Sequence, residues 1–228
     1  MDTISELQVD KTVTPSPVLP ALIWAEGIDP PHPTVEIPAF LAEVLATARE
    51  AGETFVPEPL RKRVRGMLRH GKYKPSGRSK PASEFLLRAA LANTFPLVNP
   101  PVDVNNAVSL ASGLPGSIFD ADLTGRDLLL RRGRPGETYI FNPTGQVIDL
   151  EDLLVVCRRD GEAWTPCGNP VKDAMATKIR SETRRVVAVL YAPADEPPAA
   201  VERWASRFAD LLGTHCAAND AGYRVIEP

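Results

Sequence analysis

Residues 97–115, LVNPPVDVNNAVSLASGLP, place several hydrogen-bonding side chains in an otherwise apolar segment. The segment holds one acid, Asp103, three asparagines and a Pro-Pro pair. Asp103 can cap a helix that starts here, and Asn105 and Asn106 can bind the backbone of neighbouring loops, because buried polar groups need partners. The small residues that follow, SGLPGSIFDAD, leave room for a ligand. The segment is therefore predicted to frame a pocket as well as to support the architecture.

The most concentrated charge lies in residues 61–80, which hold nine basic residues and no acid. Such a surface would contact a phosphate backbone, with an affinity that weakens as salt rises. The alternative for the same charges is a solvated helix face beside a basic loop. The residues predicted to contact RNA are Arg61, Lys62, Arg63, Arg65, Arg69, Lys72, Lys74 and Arg78.

A glycine-bearing turn in residues 165–178, TPCGNPVKDAMATK, is a second candidate site. Gly168 and Asn169 permit unusual backbone angles, and Pro170 can start a helix. Cys167 would be an activated thiol at such a helix start if it had a basic partner. Because no histidine is clearly paired with it, a buried structural cysteine is the expected interpretation.

The sequence lacks other familiar catalytic and metal-binding patterns. The three histidines, His32, His70 and His215, suggest neither a metal site nor a triad, and there is no GxSxG motif. The three cysteines form no CxxC pair, so zinc is not expected and reduced thiols in a cytosol fit best. Neither a metal nor a cofactor is predicted.

Length and composition fit one domain with a sizeable core, since 43% of the 228 residues are apolar. The net charge of -3 gives no general attraction to nucleic acid or membrane. No apolar run approaches the roughly 20 residues that span a bilayer, and the N-terminus does not look like a secretory signal. We expect a cytoplasmic protein with no membrane partner; the oligomeric state is left open.

Helical and strand-like patterns are intermingled without regular alternation, which favours an α+β fold of mixed layers. Residues 1–20 are predicted to form a flexible tail and residues 21–228 a single domain. Ser79 or Ser83 is the expected N-cap of the third helix. Four predicted helices lie within residues 37–52, 58–73, 80–95 and 197–216, and a further helix is predicted to start within NPPVDVNNAV, residues 99–108. The predicted strands lie within residues 21–28, 126–142, 152–169, 183–193 and 223–227.

Three segments together resemble the editing domain of the phenylalanyl-tRNA synthetase beta chain, called B3/B4: PVDVNNAVSLASGLPGSIFDAD, LLLRRGRPGETY and TRRVVAVLYA. The family pattern is an Asp-x-x-Asn helix start, a Gly-x-Pro turn, a Phe-Asp pair, an arginine-led strand, a Gly-Glu pair and a Thr-led strand. The matching residues are Asp103, Asn106, Gly113, Pro115, Phe119, Asp120, Gly136, Glu137 and Thr183.

The resemblance implies a mixed layered α+β fold of the B3/B4 type. It also implies a pocket that receives the charged 3′ end of a tRNA and hydrolyses a wrong amino acid from it by attack of a positioned water. The extra segments GRSKPASEFLLR and PCGNPVKDAM are expected marks of a free-standing version of the domain. The pocket residues so implied are Asp103, Asn106, Gly113, Pro115, Asp120, Cys167, Gly168, Asn169 and Val189.

Two positions depart from the family pattern. Ser117 stands where the family has a histidine, and Val189 stands where it has a glutamate that reads a tyrosine hydroxyl. These departures favour either a smaller or more apolar amino acid in place of tyrosine, or no catalysis at all. Ser117 becomes the candidate catalytic residue, because it can position a water or a substrate hydroxyl.

Several functions remain open at this level. One is an RNA-associated deacylase of mischarged aminoacyl-tRNA acting in trans, without an amino-acid activation core. Another is a non-catalytic module that binds tRNA, an amino acid or a protein in the same pocket, and a third is a small-molecule enzyme. Loss of the two polar positions favours the binding module, whereas the basic segment favours RNA contact in either of the first two.

Overall fold

The structure, a computed structural model, describes residues 5–10 and 17–226 and contains two four-stranded sheets and a two-stranded ribbon, with helices packed around them. The strands are β1 (Glu6–Val9), β2 (Val18–Glu26), β3 (Gly116–Asp120), β4 (Asp127–Arg132), β5 (Thr138–Ile140), β6 (Val147–Asp149), β7 (Leu154–Asp160), β8 (Ala163–Gly168), β9 (Arg185–Pro193) and β10 (Asp220–Val225). The helices are α1 (Ala39–Ala51), α2 (Glu58–Leu68), α3 (Ala82–Leu91), α4 (Pro100–Ser112), α5 (Ala121–Thr124) and α6 (Pro198–His215).

Strand β9 lies inside an antiparallel sheet of order β10-β2-β9-β3. Residues 186–193 of this strand are all buried, as its run of valine, alanine and leucine predicts. Helix α6 packs on β2 and β10 and buries Val201, Phe208 and Leu212 in the same core. The sheet ends at β3, whose second edge has no strand partner among the described residues.

The second sheet has the order β1-β4-β7-β8, with β1 parallel to β4 and the other pairs antiparallel. Leu128, Leu130, Leu154 and Val156 join the same hydrophobic cluster as β9, so the two sheets share one core. The β5–β6 ribbon lies outside both sheets. This arrangement confirms the predicted α+β fold class.

Helix α4 is buried on almost every side because α1, α3, α6 and β3 all pack against it. This position explains its composition: apart from Asp103, its polar residues are small or neutral and can be buried without the cost of burying charge. Asn99, rather than the predicted Asp103, is the N-cap and accepts from the Val102 N–H at 3.2 Å. Asp103 instead accepts from the Val98 N–H at 2.8 Å and fastens the preceding loop.

The described part of the N-terminal segment differs from the expected tail. Residues Glu6–Val9 pair with β4, Leu7 is buried, and Ser5 Oγ donates to the Gly125 carbonyl at 3.0 Å. A sheet edge offers unpaired backbone groups, so a short polar segment can become a strand there without a strong hydrophobic pattern. The predicted first strand likewise begins earlier, at Val18, while residues 1–4 and 11–16 lie outside the described residues.

The start of α3 also differs from expectation. Pro81 occupies the N-cap position, and no side chain caps this helix, so neither Ser79 nor Ser83 has the predicted role. Ser83 is buried within the first turn instead. The Ala82 N–H at this end donates to the Pro170 carbonyl at 2.9 Å, so a backbone oxygen serves in place of a side-chain cap.

A buried ion pair yields a stability prediction for the second sheet. Arg131 is 2% exposed and donates to both carboxylate oxygens of Glu137, at 2.7 and 2.8 Å. Glu137→Gln should lower the free energy of unfolding by about 3 kcal/mol, because the guanidinium then stays buried without its counter-charge. Asp160→Asn, which breaks the more exposed pair with Arg158, should cost less than about 1 kcal/mol in the same urea titration. Equal losses for the two variants would contradict this account.

Candidate functional site

A cavity of about 240 Å³ lies between the first half of α4, strand β3 and the turn that follows β8. Its walls contain both polar side chains, which are amide or charged, and aliphatic side chains. The polar members are Asn99, Asn105, Asn106, Asn169, Lys172, Asp173 and Lys178. The aliphatic members are Ala82, Val98, Val102, Ile118, Val171 and Ile179.

Helix α4 supplies the amide wall. Asn99, Val102 and Asn106 are spaced three and four residues apart and therefore share one helix face. Asn105 Nδ2 donates to Asn106 Oδ1 at 3.3 Å, which leaves the Nδ2 group of Asn106 available as a donor. The Oδ1 atom of Asn105 is buried and accepts no hydrogen bond.

The open edge of β3 supplies the backbone wall. The Tyr191 N–H donates to the Pro115 carbonyl, so Pro115 and every second residue after it pair with β9. Gly116 and Ile118 consequently direct their N–H groups away from β9, toward the open edge. The Ile118 N–H donates to Asp173 Oδ2 at 3.2 Å, which fastens the turn after β8 to this edge.

Asp173 is the ionisable group of the cavity with the most perturbed acidity. Burial raises the pKa of Asp173 to about 7, against the opposing effect of the hydrogen bond from the Ile118 N–H. The positive charge of Lys178 also favours the carboxylate, while the Lys178 ammonium itself donates to the Phe141 carbonyl at 2.8 Å. A carboxyl group with such a pKa can accept and return a proton near neutral pH.

Ser117 lies beneath the turn and is fully buried. Its hydroxyl accepts from the Tyr191 hydroxyl at 3.0 Å and donates to the Asn169 carbonyl at 3.2 Å. Asn169 Oδ1 in turn accepts from the N–H groups of Val171 and Lys172, at 2.8 and 2.9 Å. Ser117 thus holds the base of the turn, and it is not among the residues that line the cavity.

Of the other predicted pocket residues, Asn106 and Asn169 line the cavity and the rest do not. Val189 is buried opposite Ser117 in β9, and Pro115 is buried just before β3. Asp120 accepts from the Thr183 hydroxyl at 2.6 Å and from the Asp122 N–H at 2.9 Å. Asp103 fastens the loop before α4, as described above.

Three other predicted pocket residues have structural roles: Gly113, Cys167 and Gly168. Gly113 ends α4 with a φ of 73°, a left-handed conformation that favours glycine. Gly168 packs against the Phe119 ring. Cys167 is buried, and burial raises the pKa of its thiol well above the usual value, so the thiol is not activated. Pro170 does not begin an α-helix; only a short 3-10 turn, Met175–Thr177, follows it.

Sequence reasoning missed Asp173 and Lys178 and gave Asn105 a different role, as a side chain that binds neighbouring loops. Asp173 and Lys178 belong to the quoted turn but follow no recognisable motif. Their importance depends on the open edge of β3, which the local sequence does not reveal. The available signal was the accumulation of four polar residues within the eight positions after Pro170: Lys172, Asp173, Thr177 and Lys178.

A larger open groove of about 930 Å³ adjoins this cavity. Lys72, Tyr73, Lys74 and Arg78 line one side, and Phe141, Val147 and Ile148 of the β5–β6 ribbon line the other. Lys172 lines both the groove and the cavity, and its ammonium lies 3.9 Å from the centroid of the Phe141 ring. The two spaces therefore meet at a cation held over an aromatic face.

Several basic residues of the predicted RNA surface are bound to carboxylates from elsewhere in the chain. Arg61 pairs with Glu58 at 2.8 Å, Arg63 with Glu196 at 2.7 Å and Lys72 with Glu151 at 2.5 Å. Arg65 forms a two-pronged pair with Glu84 that joins α2 to α3. Within the described residues, the basic groups of this set without a carboxylate partner are Lys62, Arg69, Lys74 and Arg78.

Two further findings concern the described ranges. No three or more histidine, cysteine, aspartate or glutamate residues are grouped there so as to hold a metal ion. No helix in these ranges is both long enough and apolar enough to cross a membrane.

The raised pKa of Asp173 predicts a pH-dependent stability. The folded state binds the proton more tightly than the unfolded chain, so this contribution is complete below about pH 4 and is lost as the pH rises through about 7. Between about pH 5 and about pH 8, the free energy of unfolding of the wild type should fall by on the order of 2 kcal/mol relative to that of Asp173→Asn. Urea titrations at several pH values measure this difference. The exposed control Asp160→Asn should show the same pH dependence of stability as the wild type. If Asp173→Asn also showed the wild-type pH dependence, the raised pKa of Asp173 would be refuted.

Comparison with known proteins relates this geometry to a family. An N-terminal fragment of the phenylalanyl-tRNA synthetase beta subunit from Pyrococcus horikoshii has a similar fold, with a TM-score of 0.50 and 9% sequence identity. The alignment covers 98% of this chain and 52% of that fragment, so the chain spans about half of its length. The family model described as "B3/4 domain" matches residues 74–203, a range that includes α3, α4, both walls of the cavity and β9. Because this match extends over more than half of the chain, the chain belongs to the B3/4 domain family.

Proposed function

We propose that this domain hydrolyses the ester bond of mischarged aminoacyl-tRNA, with the RNA 3′ end in the groove and the amino acid in the cavity. The observation that carries the proposal is the junction at Lys172, where a cationic groove opens beside a smaller cavity with an ionisable carboxyl group. Membership in the B3/4 family and the fold shared with a tRNA synthetase fragment support the same substrate class.

The groove has the two kinds of surface that a single-stranded RNA end requires. Lys74, Arg78 and Lys172 can neutralise phosphates on one side. Phe141 and Ile148 offer an apolar surface on the other, against which a terminal base can pack. The small volume of the adjoining cavity fits an aminoacyl group and excludes a nucleotide.

The cavity has groups for each step of ester hydrolysis. Ionised Asp173 takes a proton from the attacking water, whose oxygen bonds to the ester carbonyl carbon. The Gly116 N–H and the Nδ2 group of Asn106 can donate to the resulting oxyanion. When the intermediate collapses, the ribose oxygen leaves with the proton returned by Asp173, which restores the carboxylate.

The aliphatic residues of the cavity favour an aliphatic amino acid. Val98, Val102, Ile118, Val171 and Ile179 contribute the apolar wall, and none of the residues that the structure describes adds an aromatic ring to it. Neither Ser117 nor Val189 lines it, so the two positions at which the sequence departs from the family pattern lie behind the wall. Ser117 acts in this proposal as a positioning residue, through its hydrogen bond to the Asn169 carbonyl.

A second candidate function is a non-catalytic binding module. The contact between Asp173 and the Ile118 N–H favours it, because a carboxylate that fastens a turn to a sheet edge has a structural use without chemistry. The two functions are distinguished by measuring turnover and binding separately after the charge of Asp173 has been removed.

The hydrolysis prediction uses a panel of aminoacyl-tRNAs and follows the release of free amino acid. Wild type should release an aliphatic amino acid, and Asp173→Asn should be at least about 100-fold slower because it lacks the proton acceptor. Asp160→Asn serves as the control and should match the wild type. Release of no amino acid by the folded wild type, together with retained binding of the same aminoacyl-tRNAs, would exclude hydrolysis and favour the binding module.

The binding prediction separates the groove from the rest of the basic segment. Lys74→Ala with Arg78→Ala should weaken tRNA binding and reduce the slope of log affinity against log salt by about 2, since two phosphate contacts are lost. Lys62→Ala with Arg69→Ala removes the same charge outside the groove and should change both quantities much less. Filter binding across a salt series measures them. Equal effects of the two double variants would indicate a diffuse charge effect and no RNA site in the groove.

A further inference from the structure

We infer, on the basis of the proposed function, that the cavity recognises the free α-ammonium group of its aminoacyl ester, with Asn105 Oδ1 as the hydrogen-bond acceptor and Asp173 as the counter-charge. The substrate class is thereby narrowed to esters of unblocked amino acids. N-acylated esters and peptidyl esters are excluded.

The first observation is an unused acceptor in the cavity wall. Asn105 is 6% exposed and its Oδ1 atom accepts no hydrogen bond, although the residue lines the cavity. Its Nδ2 group donates to Asn106 Oδ1, so its own Oδ1 atom faces away from Asn106. A buried acceptor without a partner is destabilising, so its retention indicates a donor that arrives with a ligand.

The surroundings of this oxygen also indicate a built site. A Cβ atom added to Gly116 would lie 2.6 Å from Asn105 Oδ1, so the oxygen occupies space that only glycine leaves free. The oxygen thus lies beside the open edge of β3, where the proposed reaction takes place. An acceptor next to the scissile carbonyl matches the position of a group bonded to the α-carbon.

The second observation concerns charge. Asp173 lines the same cavity and its Oδ1 atom is also buried without a donor. The ammonium of the nearby Lys178 donates to the Phe141 carbonyl and makes no hydrogen bond to that oxygen. Two unfilled acceptors, one of them on a carboxylate, fit a ligand that carries several donors and a positive charge, and a primary ammonium has three donors.

An N-acylated substrate does not complement these two acceptor oxygens. Its amide nitrogen has a single donor and no charge, and its added carbonyl oxygen would face the two acceptor oxygens. The cavity of about 240 Å³ would also have to hold the acyl group together with the amino-acid side chain. Discrimination against N-blocked esters therefore has both an electrostatic and a steric origin.

The test compares one aminoacyl-tRNA with its N-acetylated form under single-turnover conditions. Wild type should hydrolyse the free-amine ester at least about tenfold faster. Asn105→Ala should slow only the free-amine ester and bring the ratio toward one, whereas Asn105→Asp keeps an acceptor oxygen and should preserve the preference. Equal rates for the two esters with wild type would overturn the inference while leaving hydrolysis intact.

A binding measurement separates failure of this inference from failure of the proposed hydrolysis. Calorimetry with valinamide and N-acetylvalinamide needs no turnover and uses a ligand that keeps the α-ammonium and an aliphatic side chain. Valinamide should bind to wild type and to Asn105→Asp, and it should bind at least about tenfold more weakly to Asn105→Ala. Equal binding of the two amides, or no binding of either, would overturn ammonium recognition whatever the hydrolysis assay shows.

Discussion

The open edge of β3 is the constraint on which the candidate site depends. Strand β9 satisfies one side of β3, and the backbone groups on the other side must be paired, solvated or bound by a ligand. The turn after β8 answers this need only in part, through the single contact between Asp173 and Ile118. Helix α4 faces the remaining part of the edge across a gap, and this gap is the cavity. Site and architecture therefore have the same origin, because a fully paired edge would leave no donor for a substrate.

The basic side chains of this protein fall into two groups, according to whether a carboxylate binds them. Arg63, Arg65 and Arg131 are bound by carboxylates and hold helices and strands together. Lys74 and Arg78, by contrast, have no carboxylate partner among the described residues and line an open groove. A basic segment of the sequence thus divides into a structural part and a part available to a ligand. The slightly acidic net charge of the chain is compatible with such a local cationic surface.

The sequence predicts the elements of this fold better than it predicts the site. The apolar run of β9, the apolar face of α6 and helix α4, with Asp103 as its one ionisable residue, follow from hydrophobic pattern and residue type. Asn106 and Asn169 were expected in the pocket. Ser117 was expected to face a ligand, but the alternation of β3 directs it to the opposite side from Gly116 and Ile118. Asp173 became visible only with the register of β3 and β9, which brings together residues far apart in the chain. Strand β1 escaped notice for a related reason, since a sheet edge and not its own sequence determines its conformation.

The pairing of β2 has a consequence for how the chain reaches its fold. Nearly all of β2 is buried, yet both of its sheet neighbours, β9 and β10, lie toward the C-terminal end of the chain. A ribosome therefore releases an apolar N-terminal strand long before its partners exist, so the central sheet closes only after most of the polypeptide has been made. Such long-range pairing slows folding and prolongs the time during which β2 is exposed to other chains. We therefore expect chaperones to protect this strand during synthesis.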